Sequence, residues 1–159
     1  MAIPKKIVNF LEKNKARYEV LKHRTVYTAY DKAATLKVPE KIVGKTLVVK
    51  LDKNPALVLI PANKNLDIQK LKKIAKIKNV EFIKEAWMKK NLKGVKIGAI
   101  PPFSNLWKMK TFIDKSLFQN PKIIVNGGDY NFSIKISPAV LKKIMPDLVI
   151  SSFSQVRSR

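Results

Sequence analysis

The apolar positions of the chain follow two periods, one typical of helices and the other of strands. Near the N-terminus Ile3, Ile7 and Leu11 share one helical face, and Pro4 suits the first turn of a helix. This pattern predicts a helix over residues 4–15. The same spacing, with capping residues at Thr28 and Ser137, predicts further helices at 29–36, 66–75, 85–92 and 138–145.

Two β-branched, apolar runs on either side of a polar turn predict a hairpin. The runs are residues 46–51 and 56–60, and the turn is residues 52–55. Shorter strands are predicted at 18–21, 80–83, 111–113, 122–125 and 132–136. Because the strands come as hairpins and neighbours rather than in strict alternation with helices, the predicted fold class is α+β, with a mixed, curved sheet and peripheral helices.

The length of the chain, 159 residues, suits one domain that buries about 70% of its unfolded surface. A hydrophobic content of 46% supplies a core despite the high charge. No repeat, low-complexity tract or Ser/Gly-rich linker divides the chain. The prediction is therefore a single domain over residues 1–159, with a loose tail after about residue 151.

Lysine dominates the charge of the chain. There are 33 Lys and Arg residues against 11 Asp and Glu, which leaves a formal net charge of +22. Such a charge attracts polyanions and favours a nucleic-acid partner. A lysine-rich composition without any binding role, as in some thermophile proteins, explains the same number, so the charge alone does not decide.

A membrane is the weakest interpretation of the positive charge. No apolar run approaches the ~20 residues that span a bilayer, and the first ten residues lack the pattern of a signal peptide. The basic helix predicted at 66–77 carries no Trp or Phe to anchor it in lipid. We expect a cytoplasmic protein without a membrane partner, and the absence of cysteine is compatible with that.

The usual catalytic residue sets are mostly missing. One histidine, His23, and no cysteine leave no His-rich zinc site and no Cys–His pair. No G-x-S-x-G elbow presents a serine. Residues 44–46 look like the end of a phosphate-binding P-loop, but the upstream glycine is replaced by Pro39 and a strand follows instead of a helix. No metal or cofactor is expected.

Three features stand out against this background. Lys45 lies at the entry of an apolar strand, where its charge needs either solvent or an anion. The loop at residues 98–103 contains a glycine and two adjacent prolines, so it is either a plain turn or a rigid, shaped binding surface. The Asn-Gly-Gly turn at 126–128 is either a simple hairpin turn or a backbone nest for an oxyanion or phosphate.

Taken in order, these features resemble the YbaK family of aminoacyl-tRNA editing domains. That family includes the insertion domain of bacterial prolyl-tRNA synthetases and free-standing relatives. The resemblance runs from about residue 5 to residue 145, and the glycine-proline loop at 98–103 is its most specific part. The other matching segments are residues 23–29, 33–34, 43–49, 59–62, 66–67, 113–117, 124–128 and 133–134.

The resemblance implies both a fold and an activity. The fold is a mixed, barrel-like sheet surrounded by helices. The activity is hydrolysis of the ester between a wrong amino acid and the 3′-terminal adenosine of tRNA. It implies a free-standing deacylase that acts in trans on mischarged tRNA-Pro or a related tRNA carrying a small amino acid. Such an ester needs a positioned water and oxyanion stabilisation more than a strong nucleophile, and the 2′-OH of the adenosine can assist.

The resemblance also implies roles for particular residues. Lys45 is the catalytic residue and holds the terminal phosphate or the ester carbonyl. The glycine-proline loop shapes the amino-acid pocket, the turn at 126–128 lines the opposite wall, and His23 lies at the rim or behind it. The residues expected to bind substrate are His23, Thr46, Gly98, Pro101, Pro102, Phe103, Asn126, Gly127 and Gly128.

A non-catalytic module of the same fold is the alternative function. The support for this alternative is the positive charge, which accounts for sequence-independent binding of nucleic acid but does not explain bond cleavage. The expected partners are the 3′ aminoacyl end of tRNA and, in addition or instead, an aminoacyl-tRNA synthetase. The amino acid removed, the tRNA recognised and the oligomeric state are left open by the sequence.

Overall fold

The computed structural model describes residues 3–156. The helices are α1 (Lys5–Lys13), α2 (Ala29–Leu36), α3 (Ile68–Ala75), α4 (Glu85–Asn91) and α5 (Pro138–Ile144). The strands are β1 (Tyr18–Lys22), β2 (Gly44–Leu51), β3 (Asn54–Pro61), β4 (Lys64–Leu66), β5 (Val80–Phe82), β6 (Lys110–Asp114), β7 (Ile123–Asn126), β8 (Phe132–Ile136), β9 (Val149–Ser151) and β10 (Ser154–Val156).

The starts of α2 and α3 follow from side chains that accept the otherwise unpaired backbone N–H groups of the first turn. Thr28 Oγ1 accepts a hydrogen bond from the Asp31 amide at 3.0 Å and begins α2, as the sequence predicts. Asp67 Oδ1 does the same for Lys70 at 3.1 Å and begins α3. Leu66, predicted to begin this helix, belongs to β4 instead, so the third helix is shorter than predicted.

The strands form a mixed sheet system, which confirms the predicted α+β class. A five-stranded sheet has the order β5-β2-β3-β6-β9, with parallel pairing of β3 with β6 and of β6 with β9. A second sheet, β1-β8-β7, is antiparallel. A parallel bridge between Val43 and Ile124 joins the two sheets beside the start of β2.

The predicted hairpin is present with a tighter turn than expected. The register pairs Leu51 with Asn54, so only Asp52 and Lys53 lie between the strands. Asp52 takes a left-handed conformation with φ 55°, which a tight hairpin turn requires. Asn54 and Pro55, predicted to belong to the turn, are the first residues of β3.

The core is built where helices cover these sheets. Ile7 and Leu11 of α1 pack with Leu141 of α5 and with inward side chains of β7 and β8. On the larger sheet, Leu71 of α3 packs with a cluster that includes Phe153. Each such side chain contributes about 1.5–3 kcal/mol on full burial. None of the helices described within residues 3–156 has the length and apolar character that crossing a bilayer requires.

The C-terminal segment differs from the predicted loose tail. β9 pairs with β6 and β10 pairs with β4, and Phe153 between them is fully buried. The Phe153 amide donates a 2.9 Å hydrogen bond to Asp114 Oδ1. These partners are far apart in sequence, so a local pattern does not reveal them. Residues 157–159 of the predicted tail lie outside the described residues.

Candidate active site

The part of the β2 edge between its contacts with β7 and β5 forms the floor of the candidate site. β5 pairs with β2 only from Val49 to Leu51, and the bridge to β7 lies at Val43. Among residues 3–156, no strand pairs with this edge between those two points. Lys45 and Thr46 occupy the gap, and both are half-buried.

The glycine-proline loop and the turn at 126–128 are joined directly. Asn126 Nδ2 donates to the Ile100 carbonyl at 3.0 Å, and the Gly128 amide donates to the Ala99 carbonyl at 2.9 Å. The Lys96 amide in turn donates to the Gly128 carbonyl at 2.9 Å. Two motifs about 26 residues apart therefore form a single surface, which we call the loop–turn wall (residues 98–102 and 126–128).

The two glycines of the turn are required by packing rather than by anion binding. Gly128 has φ +88°, and an added Cβ would lie 2.7 Å from Ile7 Cδ1. An added Cβ on Gly127 would lie 3.0 Å from the Phe132 carbonyl oxygen. Because the Gly128 amide already bonds Ala99, it does not serve as a free donor. This corrects the expectation of an open nest at Gly128.

A cavity of about 240 Å³ lies between the β2 edge, α4 and the loop–turn wall. Its lining is mainly apolar and includes Thr46, Val48, Ile83, Met88, Gly98 and Ile100. Gly98 has φ +89°, and an added Cβ there would touch Tyr130 at 3.4 Å. The buried Thr46 Oγ1 has no hydrogen-bond partner among the described residues. The cavity thus combines a mainly apolar lining with one unsatisfied hydroxyl and the Glu85 side chain.

The rest of the loop anchors it in the core. Pro101 and Pro102 are buried, and the Pro102 carbonyl accepts a 2.7 Å hydrogen bond from Thr111 Oγ1. Phe103, expected to contact the substrate, is fully buried, and its ring lies 5.5 Å from that of Phe10. The ring packs in the core against α1, so it holds the loop in place and is not accessible to a ligand.

Both nitrogens of His23 are engaged within the protein. Nδ1 lies 2.7 Å from the Arg24 carbonyl oxygen, and Nε2 lies 2.8 Å from Ser133 Oγ. A carbonyl only accepts, so Nδ1 carries the proton and Nε2 accepts from the serine. Burial lowers the pKa of His23 below its ordinary 6.5, and the nearby charge of Lys32 lowers it further.

The Ser133–His23 contact has the components of a nucleophile and its base. Ser133 is fully buried, however, so its hydroxyl does not meet a substrate. The pair is a satisfied polar contact between the end of β1 and β8. Because both ring nitrogens are engaged, a general-base role does not fit the bonding of His23.

Lys32 is a buried cation beside the site that the sequence analysis missed. It lies on α2, is only 5% exposed, and places Nζ 2.5 Å from Asn126 Oδ1. Burial lowers its pKa from 10.5 to about 8. The sequence contained a signal for this burial. Lys32 lies three positions after Ala29 and four before Leu36, so it shares the apolar face of the helix.

Lys45, Asn126 and Lys32 converge from three elements. Side chains alternate along a strand, so Lys45 shares the face of β2 with Val43, and Asn126 shares the face of β7 with Ile124. Val43 and Ile124 form the bridge and pack together beneath α2. Lys45 and Asn126, each two residues further on, point toward the helix that carries Lys32. Lys32 and Asn126 thus meet at 2.5 Å, and Lys45 lies on the strand face toward α2.

No group of three His, Cys, Asp or Glu side chains that could hold a metal ion occurs among the described residues.

The fold and the lysine-bearing strand edge agree with one family model. The model described as the aminoacyl-tRNA editing domain matches residues 23–144, and the chain belongs to that family. The resemblance to the YbaK family of editing domains is thereby confirmed.

Solved structures agree with this assignment at the level of the fold. The hypothetical protein APE2540 superposes with a TM-score of 0.84 at 23% identity, over 94% of this chain and 99% of that one. A protein described as a proposed trans-editing enzyme for prolyl-tRNA synthetase superposes with a TM-score of 0.80 at 18% identity, over 95% of this chain and 96% of that one. No curated protein sequence matches the chain significantly.

Proposed function

We propose that the chain is a trans-acting deacylase that hydrolyses the ester of mischarged aminoacyl-tRNA, with tRNA-Pro or a related tRNA carrying a small amino acid as substrate. The observation that carries the proposal is the loop–turn wall, held by hydrogen bonds against the β2 edge with Lys45 and Thr46. Family membership and the structural similarity to a proposed trans-editing enzyme support the same activity.

The cavity fits one amino-acid moiety better than a larger ligand. Its volume of about 240 Å³ lies below the ~300–1,000 Å³ typical of drug-sized ligands. Its side chains are mainly aliphatic, which favours a small apolar residue. Such a pocket separates substrates that differ by one methylene by only about 1–3 kcal/mol, so we expect a graded preference among small amino acids.

The proposed chemistry is the addition of water to the ester. The water oxygen bonds to the carbonyl carbon, the bond to the ribose oxygen breaks, and that oxygen leaves with a proton. The products are a free amino acid and a tRNA with a 3′ hydroxyl. In this proposal Lys45 reaches the carbonyl oxygen at the β2 edge and stabilises its negative charge, while Thr46, on the opposite face of β2, lines the cavity for the acyl group. The 2′-OH of the substrate positions the water, because His23 and Ser133 are already bonded to one another.

Affinity for tRNA comes from the positive charge in this proposal. The chain carries a formal charge of +22, and the only ion pair found among residues 3–156 is Lys96 with Asp129 at 3.1 Å. Unpaired lysines neutralise phosphates and release counterions, whatever the sequence of the RNA. A synthetase that presents the tRNA is a second candidate partner.

Single-turnover deacylation of a panel of tRNA-Pro molecules, each charged with one of several small amino acids, tests the proposal. Wild type releases at least one of these amino acids. Lys45→Ala lowers the rate about 100-fold or more, as expected for losing an oxyanion contact. Lys122→Ala, a matched control on an exposed lysine before β7, leaves it nearly unchanged. If wild type hydrolyses none of the panel or of other mischarged tRNAs, the enzyme proposal fails.

The net charge of +22 favours a second candidate, a non-catalytic tRNA-binding module of the same fold. It predicts salt-sensitive binding of tRNA that Lys45→Ala barely changes, together with no turnover. Binding that is insensitive to salt contradicts this candidate, since charge is its only support.

A further inference from the structure

A second cavity opens directly beside the first, on the far side of Phe82 and Ile83. These two residues line both cavities, so the two cavities are neighbours. The second has a volume of about 390 Å³. Its main lining residues are Lys50, Lys53, Glu81, Phe82, Lys84 and Trp87. We call it the aromatic–lysine groove.

Two aromatic side chains form the floor of this groove. Phe82 is 57% exposed at the edge of the sheet, where an apolar ring gains nothing from water. Trp87 is half-buried, with part of its ring packed in the cluster of Val48 and Leu92 and part facing the groove. A single exposed ring is ordinary on a protein surface. A pair of rings next to a candidate active site is a platform on which flat groups stack.

The positive charge of the groove indicates which kind of planar ligand it binds. Lys50, Lys53 and Lys84 bring three ammonium groups to its rim against one carboxylate, Glu81. Lys50 and Glu81 are cross-strand partners in the β2–β5 register, so that carboxylate lies beside only one of the lysines. An alternation of aromatic faces and cations matches the alternation of bases and phosphates in a single strand. An acidic peptide uses the lysines but not the rings.

We propose that the aromatic–lysine groove binds the unpaired nucleotides that precede the esterified 3′-terminal nucleotide, with bases stacked on Phe82 and Trp87 and phosphates on the three lysines. This inference rests on the proposed function, because the small cavity is assigned to the amino acid. With the acyl group in the small cavity, the nucleotides attached to it cross Phe82 and enter the groove. The groove then supplies binding affinity that the small acyl group lacks.

Tryptophan fluorescence tests the groove without any enzymatic activity. The chain has two tryptophans, so in a Trp107→Phe background Trp87 is the only one. Titration with the single-stranded ribotetranucleotide ACCA should quench Trp87 to saturation. Binding should weaken with salt with a slope of about 2, at roughly 0.7 for each of its phosphates. A hexaglutamate peptide serves as the competing anion.

Substitutions then separate stacking from charge. In the same background, Phe82→Leu should weaken ACCA binding about 5- to 100-fold, the range for losing one stacked base. Lys53→Gln should lower the salt slope by about 0.7. Tyr30→Leu removes a ring that is 58% exposed on α2, outside the groove, and should leave binding unchanged. Circular dichroism checks that each variant is folded.

The outcomes separate this proposal from the proposed function. In deacylation, Lys53→Gln changes a residue that lines the groove but not the small cavity, so it should raise KM and leave the rate at saturating tRNA unchanged. Equal binding of ACCA by wild type and Phe82→Leu overturns the groove assignment, even if deacylation by wild type proceeds. Hexaglutamate binding as tightly as ACCA also overturns it and indicates an acidic peptide site. ACCA binding that depends on Phe82, in a protein that deacylates nothing, supports the groove and contradicts the proposed enzyme.

Discussion

Lys32 Nζ lies 2.5 Å from Asn126 Oδ1, and the same amide donates through Nδ2 to the Ile100 carbonyl at 3.0 Å. A lysine ammonium only donates, so it fixes which end of the Asn126 amide faces α2 and which faces the loop. One buried cation therefore orients the residue that joins the two halves of the loop–turn wall. An ammonium group that donates to a neutral amide oxygen rather than to a carboxylate is also expensive to bury.

The first prediction concerns the pH dependence of stability through Lys32. Burial lowers its pKa from 10.5 to about 8, so between these values the unfolded chain binds more protons than the folded one. The free energy of unfolding should therefore rise between pH 8 and pH 10.5, by up to roughly 3 kcal/mol. Urea unfolding of wild type and Lys32→Met at several pH values should show this rise only in wild type.

The control for this experiment is Lys37→Met at the exposed end of the same helix. It removes one charge without removing a buried one, and should keep the rise of wild type. A rise in Lys32→Met equal to that of wild type would show that groups other than Lys32 carry the pH dependence.

The second prediction concerns Asp114 and the C-terminal strands. Burial alone would raise the pKa of Asp114, but hydrogen bonds from Ser116 and the Phe153 amide outweigh it and hold the pKa below 3.8. A carboxylate with a lowered pKa stabilises the fold above pH 3.8 and loses that contribution as the pH falls through the folded-state value. Asp114→Asn should lower the free energy of unfolding at pH 7 by about 1.5–3 kcal/mol.

This loss should shrink on acidification below pH 3.8, because the wild-type carboxylate becomes neutral there as well. Urea unfolding at pH 7 and at pH 3 measures both values. Asp147→Asn, at an exposed position before β9, is the matched control and should change stability little. A difference between wild type and Asp114→Asn that is the same at both pH values argues against the charged hydrogen bonds as its cause.

The third prediction concerns Gly128. An alanine there meets Ile7 Cδ1 at 2.7 Å and Pro4 Cγ at 2.9 Å, and φ is +88°. Left-handed strain and overpacking together should lower stability by about 2–4 kcal/mol. Gly94→Ala has a similar φ of +93° but meets only the flexible Lys6 side chain, at 3.2 Å, so it should cost about 1 kcal/mol. Similar urea midpoints for the two variants would show that the contact with α1 relaxes freely.

The fourth prediction concerns the unsatisfied hydroxyls of Thr46 and Thr35. Both Oγ1 atoms are buried without a hydrogen-bond partner among the described residues. Replacing either threonine by valine removes an unpaired polar atom at nearly constant volume, and should raise the free energy of unfolding by about 1 kcal/mol. Only Thr46 lines the cavity, so only Thr46→Val should slow deacylation. A full deacylation rate in Thr46→Val would remove Thr46 from the proposed site.

Local chemistry predicted the elements that depend on neighbours in the chain. The Thr28 cap, the β2–β3 hairpin and the loop at 98–102 each follow from residues within a few positions of one another. β4, β9 and β10 were not predicted, because they are stabilised by pairing with strands elsewhere in the chain. The substrate contact predicted for Phe103 was wrong for the same reason, because its ring packs against Phe10, which lies 93 positions away in the sequence.

The sequence by itself determined the periods of its helices and strands, the glycine and proline positions, the positive charge and the resemblance to the editing-domain family. These properties depend on residue type and short spacing, which are visible along the chain. Only the tertiary structure decided that the 98–102 loop and the 126–128 turn form one wall, that Gly128 serves packing, and that Lys32 is buried beside Asn126. These depend on which side chains meet across long separations, and packing of the whole core decides that.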